Sequence, residues 1–199
     1  MKKFISVLLV LVMALSMAAC GSANDDNTTT EGTTAGTTAA PVVETSALEI
    51  LENIWNGFGE DESFPVMGGA ADAYVDGAPG SVEVTNTDML VYTLLLPEAQ
   101  AAQIDEAASL MHGMMLNNFT AGAYHLAEGN DVNAFTSALR DAIQSNPWMC
   151  GMPEKLLIAV VNGEYVVAAF GISAAMDPFQ THLTEAYPEA KIAYSEAIA

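Results

Sequence analysis

The sequence predicts an α+β domain, an antiparallel sheet with helices packed on it. Three observations carry that expectation. An Asn-Gly dipeptide joins two apolar runs in "KLLIAVVNGEYVVAAFG", helical periodicity recurs in separate segments, and residues 46–199 supply enough chain for one core. A domain of that length buries roughly 70% of its unfolded surface, so no disulfide or metal staple is required.

Taken in order, "SALEILENIWNGFG" opens with Ser46 and has Glu49 three residues on, a capping box. Leu48, Leu51, Trp55 and Phe58 then recur at helical spacing, and Gly57 and Gly59 end a helix over 46–58. The acidic, Gly/Pro-rich stretch that follows reads as loops with a short strand at 81–84, and Gly68-Gly69 as a turn. Residues 88–96, "DMLVYTLLL", predict a short buried helix before Pro97. The next stretch is ambiguous. Pro97 and the Ala/Glu/Gln content favour helix to about Ala107, and propensity alone extends it to Met115. A strand at 109–115, a turn at 116–118 and a strand at 119–126 fit as well. "NDVNAFTSALRDAIQSNP" is a helix over 131–145, capped by Asn130 or Asp131 and stopped by Asn146-Pro147.

The strands at 156–161 and 164–170 form a hairpin, because Asn162-Gly163 is the pair that a type I′ turn selects. Neither strand alternates, so both faces of the hairpin need cover. Asp177-Pro178 predicts cap and first residue of a helix over 178–187, and "KIAYS" an edge strand near the end. The expected arrangement puts the helices at 131–145 and 178–187 on one face and the helix at 46–58 on the other.

Before this domain stands "MKKFISVLLVLVMALSMAAC". Lys2 and Lys3 precede an apolar run from Phe4 to Met17 that is short for a bilayer span, the plan of a signal peptide over 1–19. "MAAC" followed by Gly21 resembles the lipobox of bacterial lipoproteins, with Met17 where that motif prefers leucine. The resemblance implies lipidation of Cys20 and anchoring to the membrane, on the outer face of the cytoplasmic membrane of a Gram-positive-type cell. Two acyl chains supply the two signals that stable anchoring needs. Residues 20–45 are then the lipidated cysteine and a Thr/Gly-rich tether, too polar to fold, with a coil reach on the order of 28 Å.

Charge and sulfur bound the function. After the leader only Arg140, Lys155 and Lys191 are basic, against 25 acidic residues. That balance opposes binding to nucleic acid. Of the two cysteines, lipidation consumes Cys20 and leaves Cys150 alone. The surrounding "WMCGMPEK" has the residue types of a thioredoxin site, but Pro153 stands where Cys-x-x-Cys needs its second sulfur. A helix also ends just before it and a strand begins just after, so Gly151 and Pro153 suit a helix-to-strand turn with Trp148 and Met149 plugging the core edge. His112, His125 and His182 lack metal-ligand spacing. Given a hairpin at 109–126, His112 and His125 share a face but lie well apart. No catalytic residue, cofactor or metal site is expected.

"FTAGAYHL", "WMCGMPEKLLIAVV" and "EYVVAAFG" are similar to a family of small lipobox-bearing lipoproteins of Gram-positive bacteria, some labelled bacteriocin transport accessory protein. The similarity spans 46–199 and brings no catalytic residues. The second half also resembles a domain of related lipoproteins with the order strand, strand, helix, hairpin, helix. That pattern implies the hairpin at 109–126 and hence a sheet of about four strands ordered β-β-α-β-β-α. The expected function is a non-enzymatic accessory or binding lipoprotein with an unknown protein or small-molecule partner. The alternative is a thioredoxin-like bacteriocin transport accessory protein using Cys150.

Overall fold

The computed structural model describes residues 45–70 and 72–199. The expected signal peptide, Cys20 and all of the tether but Thr45 lie outside the described residues. The chain forms α1 (Ala47–Trp55), β1 (Val66–Gly68), β2 (Val75–Asp76), β3 (Gly80–Val82), a π-helical segment (Asp88–Thr93) and α2 (Glu98–Ala101). There follow β4 (Ile104–His112), a 3-10 turn (Leu116–Asn118), β5 (Phe119–Leu126), α3 (Val132–Ser145), β6 (Lys155–Val161), β7 (Tyr165–Gly171), α4 (Ser173–Ala186) and β8 (Lys191–Ala197). All strand pairs are antiparallel, in the order β2-β1-β4-β5-β7-β6-β8, with β3 sharing the outer edge of β4 with β1.

The α+β class and the β-β-α-β-β-α order of the second half agree with expectation, but the sheet has eight strands, not about four. Beyond the central four, β8 is the edge strand expected at "KIAYS" and β3 falls at the short strand expected over 81–84, whereas β1 and β2, of three and two residues, are too short to show periodicity. Glycine makes those pieces possible. A Cβ on Gly68 would sit 2.1 Å from the Gly80 nitrogen, so Gly68 closes β1 against β3 and does not make the turn expected of it. Gly69 follows in the left-handed region at φ 81°.

Side-chain alternation divides the interior into two layers. Leu110, Phe119, Ala121, Leu157, Val167 and Ala169 face α1 and α4, and Met111, Tyr124, Leu156, Ile158, Val166 and Phe170 face α3 and the π-helical segment. The doubly apolar hairpin is thus covered on both sides. The helix assignment to the faces differs from expectation, since α4 joins α1 and α3 stands opposite. The topology explains it. Each of the crossovers β5-α3-β6 and β7-α4-β8 moves two places the same way across the sheet, but β5 and β7 run in opposite directions. Two crossovers of one hand must then lie on opposite faces.

Local ends follow side-chain chemistry. Ser46 Oγ accepts the Glu49 amide at 3.0 Å, and Glu106 of β4 accepts the Ala47 amide at 3.0 Å, closing the start of α1. Asp131 caps α3 through the Asn133 and Ala134 amides. Asn162 and Gly163 both have positive φ, 53° and 86°, as the turn requires. Helix α4 begins at Ser173, five residues before Pro178, which lies inside it. Its start is fixed from a distance, because the Glu154 carboxylate accepts the Ser173 amide and hydroxyl. Those bonds hold the Glu154 carboxyl below the usual carboxylate range. Helix after Pro97 lasts only four residues, and the ambiguous segment is strand from Ile104.

Candidate functional site

The sheet has two ends of different chemistry. At the first, Asn162-Gly163 turns the β6–β7 hairpin and the described chain enters. The Tyr165 hydroxyl donates to the Thr45 carbonyl there. His125 pairs with Asp105, lies 3.8 Å from Glu164, and rests on the Tyr165 ring at 4.7 Å. His125, Gly163 and Glu164 border a shallow cavity of about 410 Å³ that also touches Glu128 and Asn130.

At the other end, about 20 Å away by strand rise, two loops meet. The first joins β4 to β5. His112 Nδ1 accepts the Met114 amide at 3.1 Å and the Met115 amide at 3.4 Å, which turns the chain and ends the strand at 112, not at the expected 115. The Phe64 ring stacks on His112 at 5.4 Å. The second loop, 146–154, joins α3 to β6 and contains Cys150. Trp148 packs on Phe170 at 5.2 Å, so it does plug the edge of the core. Met149 does not: it is 78% exposed. Cys150 is exposed and takes a left-handed backbone, φ 65°, followed by Gly151 at φ 115°. Asn117 ties the loops together, donating from Nδ2 to the Met149 carbonyl at 3.0 Å and the Gly151 carbonyl at 2.7 Å.

Up to Pro153, charge is missing from these loops. No Asp, Glu, Lys or Arg occurs in residues 107–127 or 142–153 of a strongly acidic chain. The exposed side chains are sulfur-rich: Met114 at 80%, Met149 at 78%, Met152 at 51% and Met115 at 45%, with Leu116 and Cys150. Two buried polar atoms among the described residues have no partner, Trp148 Nε1 in the second loop and the Tyr124 hydroxyl over Gly122 in the middle of β5. Burial pushes the Tyr124 phenol well above its ordinary range.

The predicted site residues are placed as follows. Cys20 lies outside the described residues. Cys150 sits between a helix and a strand, as expected, and no other cysteine lies among the described residues. His112 and His125 lie on one face at opposite ends, also as expected. His182 lies between Glu62 at 2.9 Å and Glu185 at 3.0 Å, joining the segment after α1 to α4. The Glu62 carboxylate holds the His182 pKa above its ordinary value, helped by Glu185 and opposed by burial, and Glu62 is lowered in turn. Arg140 pairs with Glu196 and lies over the Tyr194 ring at 5.5 Å, clamping α3 to β8.

A wider cavity of about 810 Å³ opens beside α1 and the β2–β3 loop, bordered by Glu52, Asp72, Ser81 and Glu83. Among the described residues no group of three or more His, Cys, Asp or Glu side chains is placed to hold a metal ion, and no helix is long and apolar enough to cross a membrane. No family model, curated protein or solved structure matches the chain.

The sulfur-rich end is the candidate site. Sequence reading reached Cys150, Trp148 and Met149 within it, but put Met149 in the core and missed Met114, Met115 and Met152. The available signal was the "GMML" and "WMCGM" pair itself, four methionines in two short segments free of charge.

Proposed function

We propose that this protein is a lipid-anchored extracytoplasmic lipoprotein whose folded part is a non-enzymatic binding or accessory module. The leader and "MAAC" of the sequence support the anchor. The observation that carries the reading is the opposition of the two ends. The chain enters at Thr45, held against the hairpin by Tyr165 and Asn162. The exposed, uncharged loops lie at the far end of the same strands, turned away from the point of attachment. That polarity suits an anchored module that meets a partner outside the membrane. Acyl labelling tests the anchor: label that follows Cys20 and disappears in Cys20→Ala supports it, and unchanged label in that variant refutes it.

The exposure of Cys150 favours one second reading, a thiol-dependent accessory enzyme that resolves its mixed disulfide with a sulfur on another protein. Insulin-reducing activity that is lost in Cys150→Ser would establish it in place of the first.

A further inference from the structure

Sulfur is unevenly distributed over this molecule. Eight methionines fall among the described residues; Met67, Met89 and Met111 are wholly or partly buried in the layer that faces α3, and Met176 in the layer that faces α1. The other four, with the free thiol, all stand exposed on the two loops that Asn117 ties together. We propose that these loops form a binding site for a soft monovalent metal ion of the Cu(I) class. Its donors are the thioethers of Met114, Met115, Met149 and Met152 and the sulfur of Cys150.

The donor chemistry selects the ion. Thioether and thiolate are soft ligands that favour Cu(I), whereas Mg²⁺, Ca²⁺ and Mn²⁺ want carboxylate, carbonyl and water oxygens. Neither loop carries a carboxylate from 107 to 127 or from 142 to 153, and Glu154, which closes the second, is already held by the Ser173 amide and hydroxyl, so a hard cation finds no free charged ligand in the loops. The one histidine beside the loops, His112, spends Nδ1 on the Met114 and Met115 amides and acts as a positioning residue. Asn117 has the same kind of role, since it holds the Met149–Gly151 backbone beside the first loop.

The electrostatics agree. A formal net charge of −20 raises the local concentration of any cation near the surface, and neutral thioethers then accept a monovalent ion without needing to compensate a second charge. Methionine also has the rotational freedom to gather around an ion. Binding through Cys150 displaces one proton from its thiol to solvent per ion bound, and neither metal nor sulfur changes oxidation state. The inference deepens the binding-module reading and needs it only for the direction the site faces.

The test uses the full-length chain in detergent micelles, with methionine methyl groups labelled with ¹³C, and silver(I) as a redox-inert probe. Cu(I) affinity is measured against a chromophoric chelator. Silver is expected to move the methyl signals of Met114, Met115, Met149 and Met152 and to leave those of Met89, Met111 and Met176 in place. Replacing the four exposed methionines by leucine should weaken Cu(I) binding about tenfold or more, and Asn117→Leu, which removes no donor, about tenfold. The buried methionine signals report whether each variant keeps its fold. Unmoved methyl signals, or wild-type affinity in the leucine variant, would overturn the proposal. So would a loss confined to Cys150→Ser, which would mean a lone thiol and no site. Failure of the anchor reading shows elsewhere, in the Cys20→Ala labelling, and leaves silver binding unchanged.

Discussion

At the end of the sheet where the chain enters, charge and hydrogen bonds hold several exposed groups. His125 is paired with Asp105, Tyr165 holds Thr45, and Asp131 caps α3. At the opposite end no charged residue occurs in 107–127 or 142–153, Glu154 at the close of the second loop is spent on Ser173, and four methionines and a cysteine stand in water. Both ends stand on the same central strands, so the core does not make the difference. One end is tied down where the chain arrives. The other combines a fixed backbone, clasped by Asn117, with long side chains that are free to rearrange.

The harshest way to break the contrast is to cut the core both ends share. Phe119 starts β5 beneath the sulfur-rich loops, is fully buried, and meets Phe64 and Phe179 edge-on at 5.3 and 5.2 Å. Phe119→Ala should lower unfolding free energy by about 3–5 kcal/mol, read by urea denaturation, with both ends melting together. Tyr124→Phe should move stability the other way, up by about 1–3 kcal/mol, because it removes a buried hydroxyl that has no partner. Its ring should stay put, since Gly122 leaves the space it fills: a Cβ there would lie 2.2 Å from the Tyr124 oxygen.

Smaller changes separate the ends. Asn117→Ala removes two bonds to loop carbonyls and should cost about 1 kcal/mol, with faster amide exchange confined to the loop at 146–154. A pH series should sharpen the difference further. His182 has a raised folded-state pKa and Glu62 a lowered one, so their pairing stabilises the fold fully between about pH 4.5 and 6.5 and is lost as pH rises through the raised His182 value or falls through the lowered Glu62 value. Glu62→Gln should flatten that fall in a plot of urea midpoint against pH. Smallest of all, Met149→Leu should leave stability within about 0.5 kcal/mol of the parent, since its side chain is mostly in water.

Much of this architecture was legible where local chemistry decides it. Asn162-Gly163, the Ser46–Glu49 cap and the Asp131 cap each state their own geometry, and each element formed where its signal stood. The Ala-rich run of β4 did not, because helix propensity there is overridden by pairing with β1, β3 and β5 across its whole length. The start of α4 depends on Glu154, nineteen residues earlier, and no local pattern contains it. The helix faces depend on strand order, which the sequence does not print. Within the site, Cys150 drew notice by residue type alone. The methionines of the first loop looked like strand until His112 was seen to turn the chain beneath them.

The central claim is that the domain is held outside the membrane by one end and exposes the other. Cys150 reports on both halves of it, because the proposed acylation of Cys20 would leave Cys150 as the one free thiol of the two cysteines in the sequence. A membrane-impermeant maleimide should therefore label Cys150 on intact, wall-stripped cells as fully as in a lysate, and Cys150→Ser should abolish the signal. Labelling that appears only after lysis would contradict the account.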